Sequence, residues 1–242
     1  MYGILCATPE ERDALRARLQ TAPEPQRYGP TEVWTGDHAG RPFALALSGI
    51  GKVNAAAAAT LLLAVVQADV LVFAGVAGGV NPGLKVGDVL LGERLGIHDF
   101  GLMAQRAFTP TRSGLIPIGA PALTELHAVD EAVRGRLEAL RDRVAPLLPA
   151  QVRLGAIATA DYFLNCRDTR DALHADLAAD AMDMESGAVF QVAEDWGAPL
   201  YVIRTLSDLA GEDSHLTYPE MAALAARNSA LCVAELLDLL EA

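Results

Sequence analysis

Four acidic residues stand where apolar, strand-like runs end or helical patterns begin. α/β proteins commonly place their ligands at such positions. Glu11 follows the apolar run 2–7, and Glu185 lies in Met182-Asp183-Met184-Glu185-Ser186 ahead of a helical pattern. Asp161 follows the run that ends in Thr159-Ala160, and Asp208 closes Tyr201-Val202-Ile203-Arg204-Thr205-Leu206-Ser207. Carboxyl groups brought together from separate segments can divide the work of general acid and general base. Each also has a purely structural reading. Thr8 to Glu11 has the spacing of a capping box, in which the glutamate only bonds back to the helix cap. Glu185 suits the positive end of a helix dipole. Asp208 suits the cap of a following turn, and Asp161 an ion pair with Arg167 or Arg170. Spacing leaves both readings open for all four.

Gly75-Val76-Ala77-Gly78-Gly79 follows another apolar run, where backbone amides could approach a phosphate or other polar group. The segment lacks the G-x-G-x-x-G spacing of a dinucleotide site, and no G-K-[ST] follows as in a Walker loop. Cys6, Cys166 and Cys232 are odd in number and scattered, which suggests neither a disulfide framework nor a zinc site.

The elements that must position these residues are legible as alternation. Strands are predicted over 2–7, 33–37, 43–47, 70–73, 89–92, 152–159 and 200–205. Helices are predicted from Pro9 to 19 and over 54–66, 123–140, 184–196 and 221–240. The glycine segment is expected to end the strand at 70–73. Buried-looking strands alternating with amphipathic helices predict an α/β fold: one domain over 1–242, with a mixed, strongly twisted central sheet flanked by helices. Residues 100–121, rich in Gly, Pro, Thr and Ser, are expected to form a long functional loop, lid or interface arm.

Composition narrows the function. Net charge is −12, which argues against an electrostatic grip on nucleic acid or on an acidic membrane surface. The longest uncharged stretches, 53–68 and 70–84, are shorter than the roughly 18 apolar residues of a membrane span. The first residues reach Glu10 and Glu11 without a basic region or cleavage site, so a cytoplasmic location is expected.

The ordered set of motifs is the most specific signal. It runs from Gly3-Ile4-Leu5-Cys6-Ala7 with Glu10-Glu11 to Ser48-Gly49-Ile50-Gly51-Lys52-Val53-Asn54-Ala55-Ala56. Gly75-Val76-Ala77-Gly78-Gly79, Leu84-Lys85-Val86-Gly87-Asp88-Val89 and His98-Asp99 follow. Ala160-Asp161-Tyr162-Phe163, Met182-Asp183-Met184-Glu185, Arg204-Thr205-Leu206-Ser207-Asp208 and Ser214-His215-Leu216-Thr217 complete it. In this order the chain resembles the nucleoside phosphorylase/nucleosidase superfamily, and within it the 5′-methylthioadenosine/S-adenosylhomocysteine nucleosidases.

The resemblance implies hydrolysis of the bond between adenine and a 5′-thio-substituted ribose, in a homodimer without a cofactor. Asp208 would protonate purine N7, and Glu11 would position and deprotonate water. Burial would raise the pKa of Asp208 while Glu11 stays a base. Glu185 would hold the ribose hydroxyls over Met184, Phe163 would stack on adenine, and the backbone at Leu164 would read its amino group. Arg204 would reach the ribose or the nearby acids, or make a structural ion pair. Ile50, Leu102 and Tyr218 would surround the 5′-thio group, and His98 would be structural. Position 76 carries Val where the family usually has Ser, which disfavours phosphate binding. Gln105 stands where an aromatic from a partner subunit is expected. The alternatives are a futalosine-type nucleosidase, a phosphorylase, or a non-catalytic nucleoside-binding or storage protein.

Overall fold

The structure, a computed structural model, describes residues 1–211 and 213–241, with the Leu216 side chain of the Ser214-His215-Leu216-Thr217 motif outside the described set. The first strand, β1 (Tyr2–Cys6), is buried along its length and leads directly into α1 (Pro9–Arg18). Thr8 caps that helix and Pro9 fills its first position, where the missing N–H costs no hydrogen bond. An antiparallel meander, β2 (Gln26–Tyr28), β3 (Thr31–His38) and β4 (Arg41–Leu47), returns the chain to pair parallel with β1. The Ala-rich α2 (Lys52–Ala64) then leads to β5 (Val70–Gly79), which lies parallel to β1 on its other side.

Next come β6 (Val89–Ile97), the hairpin β7 (Gly101–Ala104) and β8 (Ala107–Pro110), β9 (His127–Ala128) and α3 (Glu131–Val144). The chain ends with β10 (Val152–Thr159), α4 (Arg167–Leu177), β11 (Ala181–Asp183), α5 (Ser186–Trp196), β12 (Leu200–Asp208) and α6 (Ser214–Glu241). The order across the mixed main sheet is β11-β10-β6-β12-β5-β1-β4-β3-β2. β11 also returns to β5, where Ala181 and Met182 pair antiparallel with Gly79 and Gly78. Strands β5, β12, β6, β10 and β11 therefore close into a ring. The helices flank this sheet: α1 and α3 pack on α6, and α2 packs on α5. No helix among the described residues is long and apolar enough to cross a membrane.

Several boundaries differ from expectation, each for a physical reason. The glycine segment does not end β5 but forms its last five residues, because β11 and β12 both need a partner there. The helix expected over 123–140 starts only at Glu131, after Asp130 caps it by accepting from the Ala132 amide at 2.8 Å. Residues 100–121 contain a hairpin whose turn, Gln105-Arg106, has both residues at positive φ, the geometry that two-residue hairpins favour. The last helix begins seven residues before Met221, because Pro219 removes one backbone donor without ending it.

Candidate active site

The C-terminal ends of the parallel neighbours β1, β5 and β12 lie on one edge of the sheet, and the closure through β11 adds a fourth chain segment. They frame a cavity of about 320 Å³. Its walls include Glu11, Ile50, Val76, Phe163, Leu164, Met184, Glu185, Asp208 and Tyr218. Of the residues singled out from sequence, Asp161, His98, Arg204 and Leu102 do not line it. Leu102 lies in β7, on the separate hairpin. Arg204 is wholly buried behind the wall.

Glu11 is at once a helix cap and a cavity residue. Its Oε2 accepts from the amides of Ala7 (2.8 Å) and Thr8 (3.0 Å), which completes the capping box. Its Oε1 accepts from the Val76 amide at 3.0 Å, so the carboxylate bridges α1 and β5. Burial pushes its pKa up, opposed by Arg204 and by the three amides.

Asp208 is aimed by an irregularity in β12. The pairing with β5 slips between Leu206 and Asp208, leaving Ser207 as the extra residue, and such a bulge redirects the side chain beside it. Asp208 Oδ1 accepts from the Ala210 amide at 2.8 Å, and Oδ2 accepts from the Ser207 hydroxyl at 3.0 Å. Burial raises its pKa against these bonds and one from Ser214. The rise expected at Asp208 is present, and the Glu11 carboxyl is raised as well. Both acids move up because both are buried, and the difference lies in their partners. Glu11 has a guanidinium among the groups that favour its charged form, whereas Asp208 has hydrogen-bond donors only.

Glu185 caps α5 by position, and its Oε1 accepts from the Gly51 amide at 2.9 Å. Its pKa is raised to about 7, chiefly by burial, against the attraction of Arg204, whose Nη2 lies 3.6 Å from Oε2. Arg204 is held mainly by Asp183: Nε donates to Oδ2 at 2.9 Å, and Nη2 stands at the same distance. Asp183 Oδ1 also accepts from the Thr159 hydroxyl at 2.6 Å, and its Oδ2 from the Ser186 amide at 3.1 Å. The guanidinium lies over the Phe73 ring, 4.0 Å from its centre. Arg204 Nη1 has no hydrogen-bond partner and sits beside Glu11 at Gly75, where an added Cβ would stand 2.2 Å from Nη1 and 2.5 Å from Glu11 Oε1. Sequence reading missed Gly75, Asp183 and Ser207. All three lie in the motifs quoted above, but their roles rest on long-range partners: Gly75 on Glu11 and Arg204, Asp183 on Arg204, and Ser207 on the slip in the β12–β5 pairing.

Phe163 is 47% exposed and meets Tyr218 edge-on, with ring centres 5.9 Å apart. An aromatic left this open at a cavity wall is available for stacking. Asp161 is partnered by Lys52 at the start of α2. It accepts from the Lys52 amide at 2.8 Å and lies 3.5 Å from the Lys52 ammonium. His98 is buried and hydrogen-bonded to the Tyr162 hydroxyl at 3.1 Å, and burial lowers its pKa. Among the described residues no Lys, Arg or His lines the cavity. The site is thus acidic and partly apolar, suited to a neutral ligand that acquires positive charge as it reacts.

Comparison with known proteins places these features in context. A family model described as "Phosphorylase superfamily" matches residues 1–238. The 5′-methylthioadenosine/S-adenosylhomocysteine nucleosidase of Mycobacterium bovis is 36% identical over 250 aligned positions, covering 99% of this chain and 98% of the relative. Among solved structures, the nucleosidase of the same name from Neisseria meningitidis, in complex with methylthio-immucillin-A, superposes with a TM-score of 0.83 at 29% identity. The alignment covers 98% of this chain and 97% of that one. The futalosine hydrolase of Helicobacter pylori superposes with a TM-score of 0.85 at 25% identity, with the same coverage.

Proposed function

We propose that this chain, which belongs to the phosphorylase superfamily, hydrolyses the N-glycosidic bond of 5′-methylthioadenosine and S-adenosylhomocysteine. The observation that carries the reading is the meeting of Glu11 and Asp208, from α1 and β12, in one cavity that also holds Glu185 and an open aromatic face. Adenine stacks on Phe163, with the backbone at Leu164 at its edge, and Glu185 accepts from the ribose hydroxyls above Met184. Asp208 donates a proton to N7 as the bond between C1′ and N9 breaks, and the electron pair leaves with the purine. Water attacks C1′ while Glu11 takes its proton, so the products are adenine and the 5-thio-substituted ribose. Two carboxyl groups divide acid and base work in the same way in sugar hydrolysis. Ile50 and Tyr218 face the 5′ substituent.

The absence of a cationic side chain from the described cavity wall supports water over phosphate as nucleophile, since an entering phosphate would meet carboxylates instead. Futalosine hydrolysis is the second reading, favoured by the likeness to the Helicobacter pylori enzyme. Asp208 weighs against it, because a protonated acid at N7 suits adenine. The reading includes a homodimer and a place in methionine salvage in the cytoplasm. Met103, Phe108, Leu115, Ile116, Ile118 and Leu123 are exposed apolar side chains concentrated on the 100–123 arm, as a protein interface requires. The three free cysteines are in keeping with a reducing compartment. Incubation with methylthioadenosine, futalosine and adenosine, followed by base quantitation, tests the assignment. Adenine release from the thio-nucleoside supports it, and release from futalosine alone overturns it.

A further inference from the structure

The geometry points to Lys52 as a positioning residue that ties the loop bearing Ile50 and Gly51 to the loop bearing Phe163 and Leu164, holding two walls of the cavity in register; this rests on the reading of the cavity as a nucleoside site. Lys52 is the first residue of α2. Its ammonium lies against Asp99 Oδ1 and 3.5 Å from Asp161 Oδ2. Its own amide donates to Asp161 Oδ1 at 2.8 Å, and the Asp161 amide donates to Asp99 Oδ2 at 2.8 Å. Three residues from three segments thus close a cycle around one cation.

Both arms of the cycle end at the cavity. On one side, Gly51 donates its amide to Glu185, and Ile50 lies in the wall. Gly51 has φ +98°, and an added Cβ there would stand 3.3 Å from Asp161 Oδ1, so Asp161 is seated directly on this glycine. On the other side, Asp161 is followed at once by the wall residues Tyr162, Phe163 and Leu164. The Lys52 and Asp99 side chains are each only 19% exposed, so the pair is less screened than an ordinary surface ion pair. Without the ammonium, two carboxylates would face each other across the join. The catalytic acids are held independently, Glu11 by the amides of 7, 8 and 76 and Asp208 by Ala210 and Ser207. Loosening the cycle therefore acts on substrate binding more than on turnover.

The test compares Lys52→Met and Lys52→Arg with the wild type in methylthioadenosine kinetics and in hydrogen exchange of peptides spanning 49–54 and 160–165. Lys52→Met is expected to raise KM about tenfold with kcat within about threefold, a split that marks lost uniform binding. Exchange should accelerate in both peptides, and Arg should restore most of each effect. Unchanged KM and exchange in Lys52→Met overturn the assignment, as does an Arg variant as impaired as Met. If the wild type releases no adenine, the nucleosidase reading fails, while the exchange comparison still decides whether Lys52 joins the two loops. Should Lys52→Met not fold, Asp99→Asn keeps an acceptor for the Asp161 amide and removes the charge. It is expected to raise KM to a smaller extent, and an unchanged KM there is equally contradictory.

Discussion

Glu11 and Arg204 meet over the one position in the middle of β5 that carries no side chain, Gly75. A Cβ there would stand 2.5 Å from the glutamate Oε1 and 2.2 Å from the arginine Nη1, well inside van der Waals contact. The glycine is required by this close approach, since both groups reach the backbone itself. Gly75→Ala is expected to lower kcat/KM by about a hundredfold, the scale on which small misplacements of catalytic groups act. The fold should lose about 1–3 kcal/mol to overpacking. Kinetics and denaturant titration check the two parts, and a fully active Gly75→Ala would show that Glu11 need not sit where it does.

In the proposed mechanism Asp208 acts in its protonated form and Glu11 in its ionised form, so activity should be bounded on both sides. Burial raises both pKa values. Activity should fall with acid as pH drops through the raised value of Glu11, and fall again as pH climbs through that of Asp208. Asp208→Asn should cut kcat by about 10²- to 10⁴-fold, the usual contribution of a general acid, and abolish the alkaline limb. Ligand affinity should be largely retained. A kcat/KM profile across pH reads both effects.

Glu185 gives a stability prediction of definite sign. Its folded pKa is raised from 4.5 to about 7, so its contribution is fully present below 4.5 and lost as pH climbs through about 7. Glu185→Gln removes that loss. The variant should have a higher Tm than the wild type at pH 8 and little or no advantage at pH 4.5. It should also bind nucleoside about tenfold or more weakly, as expected for losing charged hydrogen bonds to the ribose hydroxyls. Thermal melts at the two pH values and calorimetric titration check this.

On the proposed binding mode, Phe163 should contribute to binding without supporting the fold. Phe163→Ala is expected to raise KM about tenfold through lost stacking. Tm should hardly change, because Phe163 is already 47% exposed. A large fall in Tm with unchanged KM would make Phe163 a core residue instead.

The acids were legible in the sequence because strand ends carry chemistry in α/β proteins, and Glu11, Glu185 and Asp208 stand at such ends. What spacing could not decide was whether Glu11 only caps its helix or also faces a cavity, and it does both: one oxygen closes the capping box while the other reaches β5 at the cavity wall. The sequence leaves Arg204 open between the ribose, the nearby acids and a structural ion pair, and the structure pairs it with Asp183 and Glu185. Its burial depends on Asp183 arriving from β11, a long-range pairing with no local signature. The closed ring of strands was equally invisible. Gly75–Gly79 reads locally as a turn, yet it forms the last stretch of β5 because β11 and β12 pair with it. The 100–121 arm carries turn residues and apolar residues without a clear period, so its hairpin was not foreseen.

The most direct measurement of the central claim is methylthioadenosine turnover in H₂¹⁸O, with and without phosphate. The account predicts one ¹⁸O at C1 of the released methylthioribose for each adenine formed, at a rate that phosphate does not change. Adenine release that requires phosphate and yields the sugar 1-phosphate, or no release of adenine at all, would contradict it.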